Sequence, residues 1–512
     1  MVQQGKLLSD RNAILKHREW RGVRDTVYDY FQWLSLWGLL IKWLLSHPIQ
    51  NVKAIFRYRW MYTYLTVPSF FDRMMSGMRG ASLRAARNNM NTLVKEVTDM
   101  LTDQFSADMH LHPGSKKAEE LGHKIILMDE LVPMLLVKGF PDYKGLLQQE
   151  FAAYLPSLIN QHSPVHYLEQ SESYGLPADV CPLPSLEAGI AIEDDYPKID
   201  APCFISCNMP CDGSIMTSAL QDRRLGLPSH VLNVPLRWKR ENVQEYAIDE
   251  YMECIHFIEE RTGTNYDWEA LKEAIEIYNK QTRLKMEKWE LNMTDLAPHT
   301  GSTAWLYRIF EYQAACGSTR ALQNDYKVNE ILKKQVLAGK NTKNVKYRAV
   351  LWNTPANMYA DFNTWLLNCW GIDSVAEMID FQGTEIIDTS SHESMLAGIA
   401  KMAQGSTMRV HTKGGYHVIL DDLWVKMEQF RADMIIMFDQ ISCKGVSAIG
   451  GLFEEEARKR NVKFVWVPQD LMDPTTISRR NMRDHVNQFM DTVMKAKPVD
   501  PSLVDFDDSE SW

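Results

Sequence analysis

Ala432-Asp-Met-Ile-Ile-Met-Phe438, the stretch 445–459 and Val462-Lys-Phe-Val-Trp-Val467 set the fold class between them. The first is a continuous apolar run, as a strand covered on both faces requires. The second is helical in pattern, and the third is the next strand. Two strands bracketing one helix make a parallel crossover unit. Upstream, Tyr347-Arg-Ala-Val-Leu-Trp352 is strand-like and stops at Asn353-Thr354-Pro355, so an α/β domain is expected over 341–497.

The same alternation occurs earlier in the chain. From His112-Pro113-Gly114 onward the apolar runs are short and broken by Gly, Pro and Asp, beginning with Lys124-Ile-Ile-Leu-Met128 and 131–137. Cys203-Phe-Ile-Ser-Cys207 reads as a strand, and Cys211-Asp212-Gly213 turns from it into a helical segment at 214–219. A first α/β domain is therefore expected over 111–260. Asp267 is an N-cap candidate for a long helix carrying Leu271, Ile275, Tyr278, Thr282 and Trp289 on one face, which makes 261–340 a helical spacer. Residues 1–110 read as a helical extension in which Trp33, Leu36, Trp37, Leu40, Trp43 and Leu44 form one apolar stripe. The tail, 498–512, is acidic, lacks periodicity and is expected to fray. The fold class is thus α/β, with two Rossmann-like parallel-sheet domains, a helical spacer and an N-terminal helical extension.

At roughly 150 residues per domain, 512 residues suggest about three domains. The chain is 45% hydrophobic and 24% charged, with 26 Gly and 21 Pro, which excludes collagen-like and wholly disordered classes. A net charge of −10 argues against nucleic acid as a partner. The charge is lopsided: residues 1–95 hold 15 Lys/Arg and 5 Asp/Glu, leaving 41 and 61 for the remainder. The basic extension is expected to bury its Trp33/Trp37/Leu40/Leu44 stripe against the body or a partner subunit, with contact at a membrane surface as the second reading. Its most apolar run, Tyr30 to Leu45, falls short of the ~20 residues of a spanning helix. With no secretory pattern at the start, the cytoplasm is the expected location.

Eight cysteines are too few for a disulfide framework in a chain this long. There is no P-loop, no Gly-x-Gly-x-x-Gly after a strand-like run, and His392-Glu393 lacks the second His of a zinc-protease helix. Cys211 and Cys443 each follow a strand, where open α/β sheets carry functional groups. Cys181, in Asp179-Val-Cys181-Pro, opens a helix-like segment, and helix N-termini favour thiolates. Spacings of 30 and 232 residues leave two readings open, a shared metal site and three separate buried cysteines. Cys203 and Cys207 are read as buried small hydrophobes, because two strand residues four apart lie ~13 Å from each other. His110 and His112 read as loop histidines.

The segment 432–473, with Phe438-Asp-Gln-Ile-Ser-Cys443-Lys, Glu454-Glu-Glu-Ala-Arg-Lys-Arg460 and Val467-Pro-Gln-Asp470 leading to Asp473-Pro474, resembles the C-terminal signature of the 2-hydroxyacyl-CoA dehydratase and benzoyl-CoA reductase family. Cys211-Asp212-Gly213 shares that likeness. Gly139-Phe-Pro-Asp142 and the stretch from Glu172 through Gly175 to Cys181 resemble the alpha subunit of 2-hydroxyglutaryl-CoA dehydratase. The likeness runs over roughly 115–490.

This resemblance implies a subunit that binds one [4Fe-4S] cluster through Cys181, Cys211 and Cys443, beside a homologous second subunit in a heterodimer or larger assembly. It also implies an acyl-CoA substrate and a separate ATP-dependent iron–sulfur activator, which accords with the missing P-loop. An iron position without a cysteine would act as Lewis acid on substrate oxygen. The chemistry needs such help, because the carbon-3 proton of a 2-hydroxyacyl-CoA is unactivated. One-electron reduction to a ketyl expels hydroxide and makes that proton acidic, leaving the protein to supply a base and a dry pocket. Where the dehydratase subunit has Gly-Tyr-Pro-Glu with an upstream Ser as acid/base candidates, this chain has Asp142 and His123. The expected activity is a radical 2-hydroxyacyl-CoA dehydratase. The alternatives are a benzoyl-CoA-reductase-like subunit acting on an aromatic or unsaturated acyl-CoA, and a non-catalytic electron-transfer or scaffolding subunit.

Overall fold

A computed structural model describes residues 22–75, 77–110, 124–129, 131–147, 150–196, 201–208, 211–235, 240, 242–341, 343–406, 409 and 416–505. The extension is helical: α1 (Val23–Ser46) and α2 (Pro48–Arg57) pack on the long α3 (Gly80–His110). The chain then enters β1 (Lys124–Met128) and β2 (Tyr143–Leu147), continues through α4 (Val165–Tyr174) and α5 (Pro182–Ile192), and returns to the sheet as β3 (Phe204–Cys207). Next come α6 (Asp212–Leu225), β4 (Ser229–Leu232) and α7 (Val243–Thr262).

Among the described residues these strands form a four-stranded parallel sheet in the order β2-β1-β3-β4. Ile126, Leu127, Met128, Phe204 and Ile205 are all buried, because helices cover both faces of the sheet.

The spacer is helical as expected. In α8 (Trp268–Asn292) the Asp267 side chain accepts from the Glu269 and Ala270 amides, and Leu271, Ile275, Tyr278 and Thr282 are buried. It is followed by α9 (Ser302–Tyr312) and α10 (Thr319–Ala338), the latter packed against both α8 and α3. The second sheet comprises β5 (Tyr347–Trp352), β6 (Ile372–Glu377), β7 (Met434–Gln440) and β8 (Lys463–Gln469), parallel in the order β6-β5-β7-β8. Around it lie α11 (Phe362–Trp370), α13 (Tyr416–Gln429), α14 (Lys444–Ser447), α15 (Gly450–Lys459) and α16 (Arg479–Thr492), whereas α12 (His392–Gln404), expected from sequence within the second domain, packs on α7, and its Met395, Leu396, Ile399 and Ala403 join the core of the first half with Ile126 and Ile205. The two sheets have the same topology, and in each the direction of winding reverses between the two middle strands, opening a crevice at the carboxyl ends.

Several elements differ from the sequence expectation. The helix expected over 445–459 is split into α14 and α15, and α15 starts on Gly450, where a Cβ would stand 2.8 Å from the Trp466 ring of β8. The tail is docked as far as the described residues run. Leu503 is buried, the Trp365 indole donates to its carbonyl at 2.9 Å, and the Val499 amide donates to Cys369 at 2.7 Å. Helix α1 turns Gln32, Leu36 and Trp43 inward and leaves Trp33 exposed, with Leu40 and Leu44 only partly buried. The helix is apolar on every side, so its periodicity fits more than one face, and contact with the body selects among them.

Candidate functional site

Five cysteines, Cys203, Cys207, Cys254, Cys316 and Cys369, are fully buried, whereas Cys181, Cys211 and Cys443 are partly exposed. The buried five behave as core residues: Cys203, Cys207, Cys254 and Cys316 sit in one apolar cluster and Cys369 in another, while Cys207 also accepts from Arg409 at 2.6 Å. The exposed three share a structural position, because each is the residue immediately before a helix. Cys181 precedes α5, Cys211 precedes α6 and Cys443 precedes the short α14. The Cys211 sulfur accepts from the Ser214 amide at 3.4 Å, so the first turn of α6 already directs an N–H at it.

Cys211 lies beyond the carboxyl end of β3 and Cys443 beyond that of β7, each of them the strand after the winding reversal in its sheet. Cys181 reaches the same place because α5 packs against α6. Gly213, in the first turn of α6, permits that approach. A Cβ there would lie 3.0 Å from the Pro184 and Val180 side chains and 3.8 Å from Cβ of Cys181. Across the two α/β halves, Lys444 pairs with Asp179 at 3.0 Å, tying the Cys443 turn to the Cys181 loop.

Burial raises the Cys181 thiol pKa well above its ordinary value, and negative charge on Cys443, Cys211 and Asp470 raises it further, against a hydrogen bond from the Leu183 backbone. The three sulfurs therefore occupy one electrostatic neighbourhood. Among the described residues, no group of three or more His, Cys, Asp or Glu is spaced to hold a metal ion. A cluster of several irons spreads its thiolate ligands wider than one ion does, and thiolates are its preferred donors. The donor chemistry and the convergence of the three loops fit such a group.

Asp470, directly after β8, faces the same neighbourhood and was not singled out from sequence. Gln440 and Ser442 donate to its carboxylate at 2.8 Å each, and burial nonetheless pushes its pKa up to about 6. Around it lie polar atoms that have no hydrogen-bond partner among the described residues: both side-chain atoms of Asn357, and Oε1 of Gln440 and Gln469. All three residues are almost fully buried, and the Asn357 amide donates to Leu471 beside Asp470 at 2.9 Å. Buried amides left open in this way suit a polar ligand or ordered water at the carboxyl edge of the second sheet. Their sequence signal was position, since Gln440, Gln469 and Asp470 end or follow the two best-marked strands. Glu150, buried in the π-helical turn that follows β2, also sits at a carboxyl edge.

The structure does not bring Asp142 to the cysteines. It is exposed and precedes the amino end of β2, whose residues Tyr143 to Leu147 pair in register with Lys124 to Met128. In a parallel sheet the amino and carboxyl edges are opposite, so the five residues of β2 separate Asp142 from the cysteine edge by roughly 16 Å. His123 lies outside the described residues, as does His112.

The family described as 2-hydroxyglutaryl-CoA dehydratase, D-component, matches residues 152–493. The chain belongs to this family. The match takes in Cys181, Cys211, Cys443 and Asp470, and it excludes the helical extension, β1, β2, Asp142 and His123. No curated protein matches the chain. Membership makes the protein a dehydratase-type component that works with a partner component.

Proposed function

We propose that this component eliminates water from a 2-hydroxyacyl-CoA by one-electron chemistry, with a [4Fe-4S] cluster held by Cys181, Cys211 and Cys443. The observation that carries the reading is the meeting of three helix-capping cysteines at the carboxyl edges of two parallel sheets, within the segment that matches the family. When bound, the cluster would supply one-electron reduction and Lewis acidity toward the thioester substrate. The chain's own residues do the rest. Amides such as those of Leu183 and Ser214 donate to the sulfurs and offset thiolate charge, lowering the cost of three anions in a part-buried site.

Asp470 is the group we assign to proton transfer. Its ordinary carboxylate pKa is raised to about 6, so near neutrality it can both accept and return a proton, and Gln440 and Ser442 hold it in one orientation. The partner component of the family and an ATP-hydrolysing electron donor complete the system, because this chain has no phosphate-binding loop.

The test is anaerobic reconstitution followed by iron and sulfide analysis, and then turnover of 2-hydroxyacyl-CoA with partner and activator. About four irons and four sulfides per chain are expected. Alanine at Cys181, Cys211 or Cys443 should remove most of that iron, whereas Cys254→Ala and Cys369→Ala should not. Full iron retention in all three ligand variants refutes the ligand set. A loaded protein that reduces unsaturated acyl-CoA and dehydrates none refutes the reaction.

A further inference from the structure

Between Asp29 and Asp72 the sequence has no aspartate or glutamate, and it carries Lys42, Lys53, Arg57 and Arg59. Helices α1 and α2 occupy most of this stretch. At about 100° per residue, Gln32, Leu36 and Trp43 of α1 share one face and are buried. Tyr30, Leu34, Ile41 and Leu45 fall on the opposite face and are 65%, 57%, 51% and 68% exposed. Helix α2 repeats the arrangement: Asn51, Ala54 and Ile55 point inward, while Ile49, Val52 and Phe56 are exposed. A helix that is apolar on both sides has to be covered on both, and the body covers one.

The flank of this face is cationic. Phe31 borders a groove of about 600 Å³ lined by Arg24, Arg84 and Arg87. Asp25, which lines the groove, and Asp29 on the same helix are both held by Arg87, at 3.1 and 2.5 Å. Gln32, more than nine-tenths buried, lines the groove, and neither atom of its amide has a hydrogen-bond partner among the described residues. Arg24, Lys42, Lys53 and Arg84 form no ion pair among the described residues, while Arg57 faces Asp194 at 3.8 Å.

We propose that α1 and α2 lie in the plane of an anionic phospholipid surface, with their outward side chains among the acyl chains and lipid phosphates along the Arg24, Lys42, Lys53 and Arg84 flank. Large aliphatic and aromatic side chains on one face, beside lysine and arginine whose few neighbouring carboxylates are already held by arginine, are what an interfacial helix needs. A protein interface is depleted in lysine, and the charge left outside ion pairs here, on Arg24, Lys42, Lys53 and Arg84, is of one sign. No helix among the described residues is long and apolar enough to cross a membrane, so the contact is with the surface. The inference is independent of the cluster assignment, since it uses residues outside the family match.

The test is co-sedimentation of the full chain with vesicles of phosphatidylcholine alone or mixed with phosphatidylglycerol. Binding should require the anionic lipid and weaken as salt is raised. Lys42→Gln and Lys53→Gln should each lower the partition coefficient about fivefold. Leu34→Glu with Ile41→Glu, at positions already exposed, should abolish binding while circular dichroism stays unchanged. Failure of the wild type to sediment with anionic vesicles overturns the proposal, as does undiminished binding of the Leu34/Ile41 variant. An oligomer that forms without lipid and is dissociated by the same two substitutions would reassign the face to a protein contact and overturn it as well.

Discussion

Gly213→Ala tests the meeting of the Cys181 and Cys211 loops with a single added methyl group. Its Cβ would stand 3.0 Å from Cγ of Pro184 and from Cγ1 of Val180, where carbon atoms prefer ~3.5–4.0 Å. Neither neighbour can swing aside, because Val180 and Pro184 are buried and the proline ring is rigid. The 180–184 turn must therefore shift by about 0.5 Å relative to α6. Overpacking of this kind costs ~1–3 kcal/mol, offset by ~1 kcal/mol from replacing glycine inside a helix. The net loss of stability is then only ~0–2 kcal/mol. The geometric effect is larger, because a metal constellation must be held within about 0.5 Å of its working arrangement, and Cys181 moves with the turn. The expected result is a folded protein whose iron and sulfide content after anaerobic reconstitution falls well below that of the wild type. Gly451→Ala is the control: it lies in α15 with nothing within 4 Å of the new Cβ, and it should leave both metal content and fold intact. Wild-type iron content in Gly213→Ala would refute the idea that these two loops share one cluster.

Asp470→Asn should cut turnover by about 10²–10⁴-fold while leaving iron content unchanged, measured with partner and activator present; Asp142→Asn, at the opposite edge of the sheet, should turn over normally in the same assay. The pairing of Lys444 with Asp179 is solvent-exposed, so Lys444→Ala should change unfolding free energy by no more than ~1 kcal/mol. Removing one partner of the buried pair Lys288 and Asp325, as in Lys288→Met, should cost about 3–5 kcal/mol in denaturant unfolding, because it strands a charge in the core. Burial, with Lys288 and Arg308 adding to it, holds His299 well below its ordinary pKa of 6.5. Below about pH 6.5 the unfolded chain therefore takes up a proton that the folded chain refuses, and stability falls with falling pH. In His299→Gln that slope should be shallower, read as the denaturation midpoint across pH 5–8.

Strand positions were legible where the signal was local and complete. The runs at 432–438 and 462–467 are apolar without interruption because both faces of their sheet are covered, and they became β7 and β8. β2 gave no such signal, since Gly145 interrupts it and its neighbours Lys144 and Asp142 are polar. The three cysteines were legible by position, each at a turn into a helix. The buried amides and Asp470 were visible only as strand ends, and their environment follows from what packs around them.

What the sequence determined by itself was the α/β class, the parallel arrangement and which cysteines stand at strand ends, because periodicity, turn residues and strand–helix alternation are properties of neighbours along the chain. What only the tertiary structure decided was the choice among equivalents. It selected which face of the all-apolar α1 is buried, brought α5 against α6 so that Cys181 joins Cys211, and set Asp142 at the edge opposite the cysteines. The physical reason is the same in each case. Side-chain direction repeats within an element, but which edge or face meets another element depends on strand order and on packing between residues far apart in sequence, such as Lys444 and Asp179.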